Sequence, residues 1–105
     1  MALVVIDAEN VRRSLWPNLS RDELVERARA WAAREGHGLL IVFDGRPPAD
    51  APDLVAAANA DDEIVSIAAK QREPYWVVTS DRALRARLGD APERIIGGGS
   101  FARSI

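Results

Sequence analysis

The sequence predicts an α/β domain with a largely parallel sheet, on three observations. Short apolar runs of strand length recur along the chain, and helical patterns fall between them. Three of those runs also end in the same way, "VVI" on Asp7, "IVF" on Asp44 and "VVTS" on Asp81.

The elements follow in order. "ALVVI" (2–6) is a continuous apolar run, as expected of a strand buried on both faces. The loop "LWPNL" leads to Ser20, with Glu23 three residues on, the signature of a capping box. The helix it opens runs to about Glu35, with Leu24, Val25, Ala28, Trp31 and Ala32 on one stripe. Gly36 and Gly38 end it. "LLIVF" (39–43) is a second buried strand, and the three prolines and one glycine of "DGRPPADAP" make the next segment a loop. A short strand is expected near 54–58. "ADDEIVSIAAKQRE" is helical, with Ile64, Ile67 and Ala68 on its apolar face. "YWVVT" (75–79) is a strand, "DRALRARLG" a short helix closed by Gly89, and "RII" (94–96) the last strand before "GGGSF".

Bulk properties narrow the function. A chain of 105 residues suffices for one domain with a real core but not for two, so 1–105 is read as a single domain. Its 48% hydrophobic and 29% charged residues have the balance of a soluble globular protein. No apolar run is long enough for a bilayer, and no basic stretch precedes a secretory core, so neither membrane nor export is indicated. The absence of cysteine excludes disulfides, thiolate metal sites and a cysteine nucleophile, and fits a cytoplasmic location. A formal charge of −2 excludes a strongly basic nucleic-acid binder, so any such contact needs a local patch. The only histidine, His37 in "EGHGLL", reads as a loop residue without a chemical role. It gives little support to a Ser-His-Asp triad or a histidine-ligated zinc.

The aspartates carry the chemistry. Parallel strands place their C-terminal ends on one edge of a sheet, where open α/β folds bind ligands. Asp7, Asp44 and Asp81 are therefore expected to be neighbours, with Asp61 and Asp62 opening a helix onto the same edge. Each alone has a plainer reading. Asp81 and the 61–62 pair suit helix N-caps, and Asp44 before Gly45 suits a turn. Together they would repel one another and ionise with difficulty unless a cation neutralised them. Mg²⁺ or Mn²⁺ is the natural partner, with open positions for water and phosphate, as in metal-assisted phosphodiester hydrolysis.

The segments "VVIDAEN", "IVFDG", "ADDEIVSIA" and "VVTSDRAL" occur in the order and spacing seen in NYN-domain, PIN-like ribonucleases. The chain resembles the YacP-like branch most closely, over about residues 2–101. That resemblance implies a PIN-like three-layer α/β/α fold and a Mg²⁺- or Mn²⁺-dependent endoribonuclease leaving a 5′ phosphate and a 3′ hydroxyl. It makes Asp7, Asp61 and Asp81 the principal metal ligands, with Asp44 and Asp62 in support. Asn10 would position water or substrate. Water activated at the metal would be the nucleophile, since no histidine or lysine stands as an obvious base. The chain departs from the branch at Ala8 and Glu9, where Gly-Tyr is more usual. Glu9 either adds an acid or faces solvent, and solvent is the preferred reading. "IIGGGSF" also supplies no acid after the last strand, so Asp44 fills that role or only one metal binds tightly.

Arg12, Arg13, Arg46, Arg82 and Arg85, with Ser80, flank the acidic edge and suit an RNA backbone. Arg82 and Arg85, three apart on a helix, are the favoured pair. Trp16 either stacks on a base or packs Pro17 and the next helix onto the core, and packing is preferred. Trp31 and Trp76 read as core. The glycine run 97–99 with Ser100 either offers N–H groups to a phosphate or is a flexible turn, and the turn is preferred. A non-catalytic RNA- or ribosome-associated module competes with the nuclease, and the low net charge invites a delivering assembly such as the ribosome. A phosphoaspartate phosphatase is disfavoured because Glu9 breaks the Asp-x-Asp pair.

Overall fold

Side chains of the central strands alternate between two cores. Val4, Ile6, Ile41, Phe43 and Val78 face one side of the sheet, while Val5, Val42, Tyr75 and Val77 face the other. That period of two on doubly buried strands needs helices on both faces. The computed structural model, which describes residues 1–105, has them. Strands β1 (Leu3–Asp7), β2 (Gly38–Asp44), β3 (Leu54–Ala57), β4 (Tyr75–Val78) and β5 (Arg94–Ile96) form one parallel sheet in the order β3-β2-β1-β4-β5. Helices α1 (Ala8–Arg13), α2 (Arg21–Glu35) and α5 (Gly98–Ser104) pack on the first face. Helices α3 (Ala60–Ala69) and α4 (Arg82–Leu88) pack on the second, completing three layers.

Most elements start and stop where their residues require. Ser20 and Glu23 form both halves of the capping box, and Gly36 closes α2 in the left-handed region at φ 74°. The five residues of the expected α2 stripe are all buried. β3 lies where a strand was expected. α3 ends at Ala69, short of the expected Glu73, because the N–H groups of Lys70 and Gln71 turn back to Ile67 and Ala68. Pro74 also disfavours helix at the residue before it.

Two helices were not expected. α1 follows β1 without a loop, with Asp7 as an extended N-cap and Val11 fully buried. α5 replaces the flexible turn expected of the glycine run. Phe101 pulls it onto the sheet, meeting Trp31 edge to face at 4.9 Å and 82°. Burial of one aromatic side chain outweighs the poor helix propensity of Gly98 and Gly99. His37 lies in the loop before β2, held by structural contacts. Its Nδ1 accepts the Ala2 N–H at 3.1 Å, and its ring lies against Trp31 and Trp76. The pairing of Leu3 with Gly38 puts it near the N-terminal edge of the sheet, opposite the aspartates. No helix is long and apolar enough to cross a membrane.

The approach of α5 to α1 depends on one glycine. A Cβ on Gly98 would collide with Asn10 Oδ1 and Ser14 Oγ, whereas one on Gly99 would meet the far end of Arg103 and, at ordinary contact distance, Ser14 Cβ. The two neighbours should therefore respond with opposite signs in urea denaturation. Gly98→Ala is expected to destabilise by about 1–3 kcal/mol. Gly99→Ala should gain up to about 1 kcal/mol from helix propensity. Equal effects at both positions would contradict this packing.

Candidate active site

The strand order changes direction between β1 and β4, which is where an open parallel sheet leaves a crevice at its C-terminal edge. A cavity of about 430 Å³ lies at that edge, and none of its lining residues is hydrophobic. Asp7 reaches it from the end of β1 and Asp44 from the end of β2. Asp61 enters from the first turn of α3, and Asp81 from the residue before α4. Four aspartates far apart in sequence thus share one space.

Three of them are held in the same manner, by one oxygen. Asp7 Oδ2 accepts the Thr79 hydroxyl at 2.9 Å. Asp44 Oδ1 accepts the Ala60 N–H at 2.8 Å, and Asp81 Oδ1 accepts the Leu84 N–H at 2.9 Å. The last two are helix-start contacts, so the plain capping role and a place in the cavity coexist in one side chain. No hydrogen bond within the protein engages the second oxygen of Asp44 or Asp81, while Asp7 also feels the Asn10 backbone N–H. The carboxylates ring the space rather than meeting at a point. No three of them close into a ready-made metal shell.

Crowding shows in their ionisation. Asp7, only 6% exposed, is pushed from an ordinary 3.8 up to about 6. Burial is the main cause and repulsion from Asp61 and Asp44 adds to it, against the opposing Thr79 hydrogen bond. Asp61 is raised by burial first and then by the charges of Asp81 and Asp44.

Glu9 behaves in the opposite way and corrects the solvent-facing expectation. It is 7% exposed and lines the cavity wall. Burial pushes its carboxyl up, but hydrogen bonds and charge from Arg12 and Arg21 outweigh that and hold it below the usual range. Arg12 meets both Glu9 oxygens at 2.9 and 2.6 Å, and Arg21 meets Oε1 at 3.1 Å. The arginine Arg12, expected on RNA, is therefore occupied. Its Nε also binds the Leu19 carbonyl at 2.9 Å. Asp62, expected to support a metal, is exposed and turned away from the cavity, paired with Arg87 at 2.9 Å. The pairing with Arg87 directs Asp62 towards α4, while Asp61 lines the cavity.

The remaining expected residues sit as follows. Arg13 is the one cation lining the cavity. Arg46, Arg82 and Arg85 are exposed beside Asp44 and along α4, and none of the three forms an ion pair. Asn10 lines the cavity while its Oδ1 accepts the Ser80 N–H at 2.9 Å. Its amide N–H groups are the part left to meet an anion. Ser80 Oγ in turn accepts the Gly98 N–H at 2.7 Å, so Asn10 and Ser80 together tie α1, β4 and α5. Thr79, fully buried, was missed. It donates to Asp7 and accepts the Asp81 N–H at 3.1 Å, linking two acids of the site. Asn59, the N-cap of α3, and Ser14 also line the cavity and were missed. "VVTSD" held the signal for Thr79, a buried-strand hydroxyl just before a strand-end acid.

No protein-family model matches the chain, and no curated protein matches it either. Among solved structures it resembles Rae1 (YacP) from Bacillus subtilis, in a mutant form, with a TM-score of 0.80 at 18% identity. The match covers 99% of this chain and 74% of the other. At that identity the likeness shows a common fold.

The Asp7 displacement has a direction that can be measured. Below about pH 4 folded and unfolded chains both hold the proton. Between about 4 and 6 the unfolded chain ionises first, so stability from this group falls as pH rises. At neutral pH the buried charge costs roughly 3 kcal/mol. Asparagine can still accept the Thr79 hydroxyl. Asp7→Asn should therefore be more stable than wild type at pH 7 by up to about 3 kcal/mol, with the gap closing towards pH 4. Denaturation curves across that range check this, and a gap that ignores pH would contradict it.

Proposed function

We propose that the chain is a Mg²⁺- or Mn²⁺-dependent endoribonuclease that hydrolyses RNA phosphodiester bonds. The observation that carries this reading is the set of Asp7, Asp44, Asp61 and Asp81 lining one cavity, three of them held in place by hydrogen bonds from the protein. Support comes from the four sequence segments that resemble the YacP-like branch, and from the fold shared with a protein that bears that name.

The residues suit the ion. Mg²⁺ keeps several of its waters and usually takes one or two carboxylates plus substrate phosphate, rather than a closed protein cage. Four aspartates lining one open polar cavity supply oxygen donors of that kind. Asp7, Asp61 and Asp81, with Asp44, would hold the metal, and Asp62 faces the wrong way to join them. When bound, the ion supplies charge neutralisation and activates water for attack on phosphorus.

The chain's own groups do the rest. Thr79 fixes the Asp7 carboxylate and the turn into Asp81. Asn10, with its oxygen committed to Ser80, offers N–H donors to a phosphate oxygen. Arg13 supplies a cation at the cavity wall, and Arg46, Arg82 and Arg85 flank it from outside. Glu9 is already neutralised by Arg12 and Arg21, so it shapes the wall without adding net repulsion towards phosphate. A chain of net charge −2 with these few arginines binds RNA weakly alone, so a delivering assembly such as the ribosome belongs to this reading. The open arrangement of acids also sustains a second reading, a non-catalytic RNA-associated module.

Incubation of the protein with single-stranded and structured RNA, in Mg²⁺ or Mn²⁺ against EDTA, separates the two. Cleavage should require the metal and fall on the order of a hundredfold or more in Asp81→Asn. Asparagine keeps the cap on α4, so folding should be retained. Equal cleavage by variant and wild type would overturn the assignment, and RNA binding without cleavage would establish the module.

A further inference from the structure

Trp16 stands apart from the other aromatic side chains. Trp31 is buried, and Trp76 is half-buried with its Nε1 donating to Glu93 and the Arg94 guanidinium 5.0 Å over its ring. Trp16 is 89% exposed, and Met1 is the only other large apolar side chain left so open. This overturns the packing role expected of it. Leaving an indole in water forgoes one of the largest hydrophobic gains a side chain can make.

The loop that carries it is fastened at both ends. Arg12 Nε donates to the Leu19 carbonyl at 2.9 Å, and the Ser14 N–H reaches Val11 at 3.2 Å. Ser20 then opens α2 through its capping box. The same Arg12 is locked onto Glu9 in the cavity wall, so the loop is referenced to the active site. Ser14 lines the cavity, and Trp16 follows it two residues later, within about 7 Å by Cα spacing. Arg13 lines the cavity as well. A cation for the backbone and an aromatic face for a base are the pair of features that bind single strands.

Resting on the ribonuclease reading, we propose that Trp16 is a base-stacking platform that makes the substrate single-stranded RNA. An unpaired base can lie on the indole while the adjoining phosphates enter the cavity. A base within an A-form duplex has both faces covered by its neighbours and cannot. Stacking of this kind tolerates any base, so Trp16 selects for strandedness rather than sequence.

The test uses the Asp81→Asn background, which holds RNA uncut. A single-stranded RNA of about ten nucleotides should quench indole emission, and Trp16→Phe should remove that quenching. Trp16→Ala should weaken single-strand binding roughly tenfold, Trp16→Phe should recover most of it, and affinity for a fully paired two-strand duplex should not depend on position 16. In the cleaving protein the loss should fall on KM rather than kcat. Single-strand affinity unchanged in Trp16→Ala would overturn the proposal. So would a self-association that Trp16→Ala dissolves while RNA affinity stays the same. If wild type cuts no RNA in either metal yet Trp16-dependent quenching persists, the hydrolase reading falls and the platform stands.

Discussion

Five strands running in one direction impose the constraint on which the rest depends. Each strand must end on the same edge, and each return must run back outside the ladder, through helices everywhere except between β2 and β3, where a proline-rich loop makes it. That edge collects strand-end residues and unpaired helix N–H groups in one region. An aspartate there finds a donor readily, as Asp44 does at Ala60 and Asp81 at Leu84. One oxygen is satisfied and the carboxylate is fixed in direction. The two apolar cores hold the edge together without contributing a residue to the cavity lining. The site is thus a consequence of topology, given acids at the strand ends.

Asp7 and Glu9 show how that edge treats charge. They lie two residues apart and are almost equally buried. Glu9 has two guanidinium groups on it and ionises easily. Asp7 has a hydroxyl and two neighbouring aspartates, and ionises only near pH 6. Burial pushes both carboxyls up; two guanidinium groups outweigh it at Glu9, and no cation does so at Asp7. One carboxylate is a permanent part of the wall, cross-linking α1 to the start of α2. The other carries a charge that the protein leaves uncompensated, and such destabilising placements are typical of groups reserved for a ligand.

Much of this was legible in the sequence, for physical reasons. Strands buried on both faces appear as unbroken apolar runs, and the acids that stop them had to share an edge once the sheet was parallel. The α2 boundaries were legible because Ser20, Glu23 and Gly36 act within one turn of themselves. What failed was whatever depended on a distant partner or on very few residues. Glu9 is buried because Arg21 arrives from another helix. Asp62 turns outward to Arg87, which lies on α4. The helix α1 has six residues and no side-chain cap, and α5 hides behind glycines until Phe101 finds Trp31. The loop that exposes Trp16 is held by Arg12 at the Leu19 carbonyl, a contact with no local pattern.

Under the proposed function, Asp7, Asp44, Asp61 and Asp81 form one cation-requiring site. Broadening of backbone amide signals by substoichiometric Mn²⁺ in two-dimensional NMR tests it most directly. The amides of these four residues should fade first and together. Those of Asp22, Asp50 and Asp90, acids outside the cavity, should stay sharp at the same Mn²⁺ level. Broadening centred on those outer acids, or none at millimolar Mn²⁺, would contradict it.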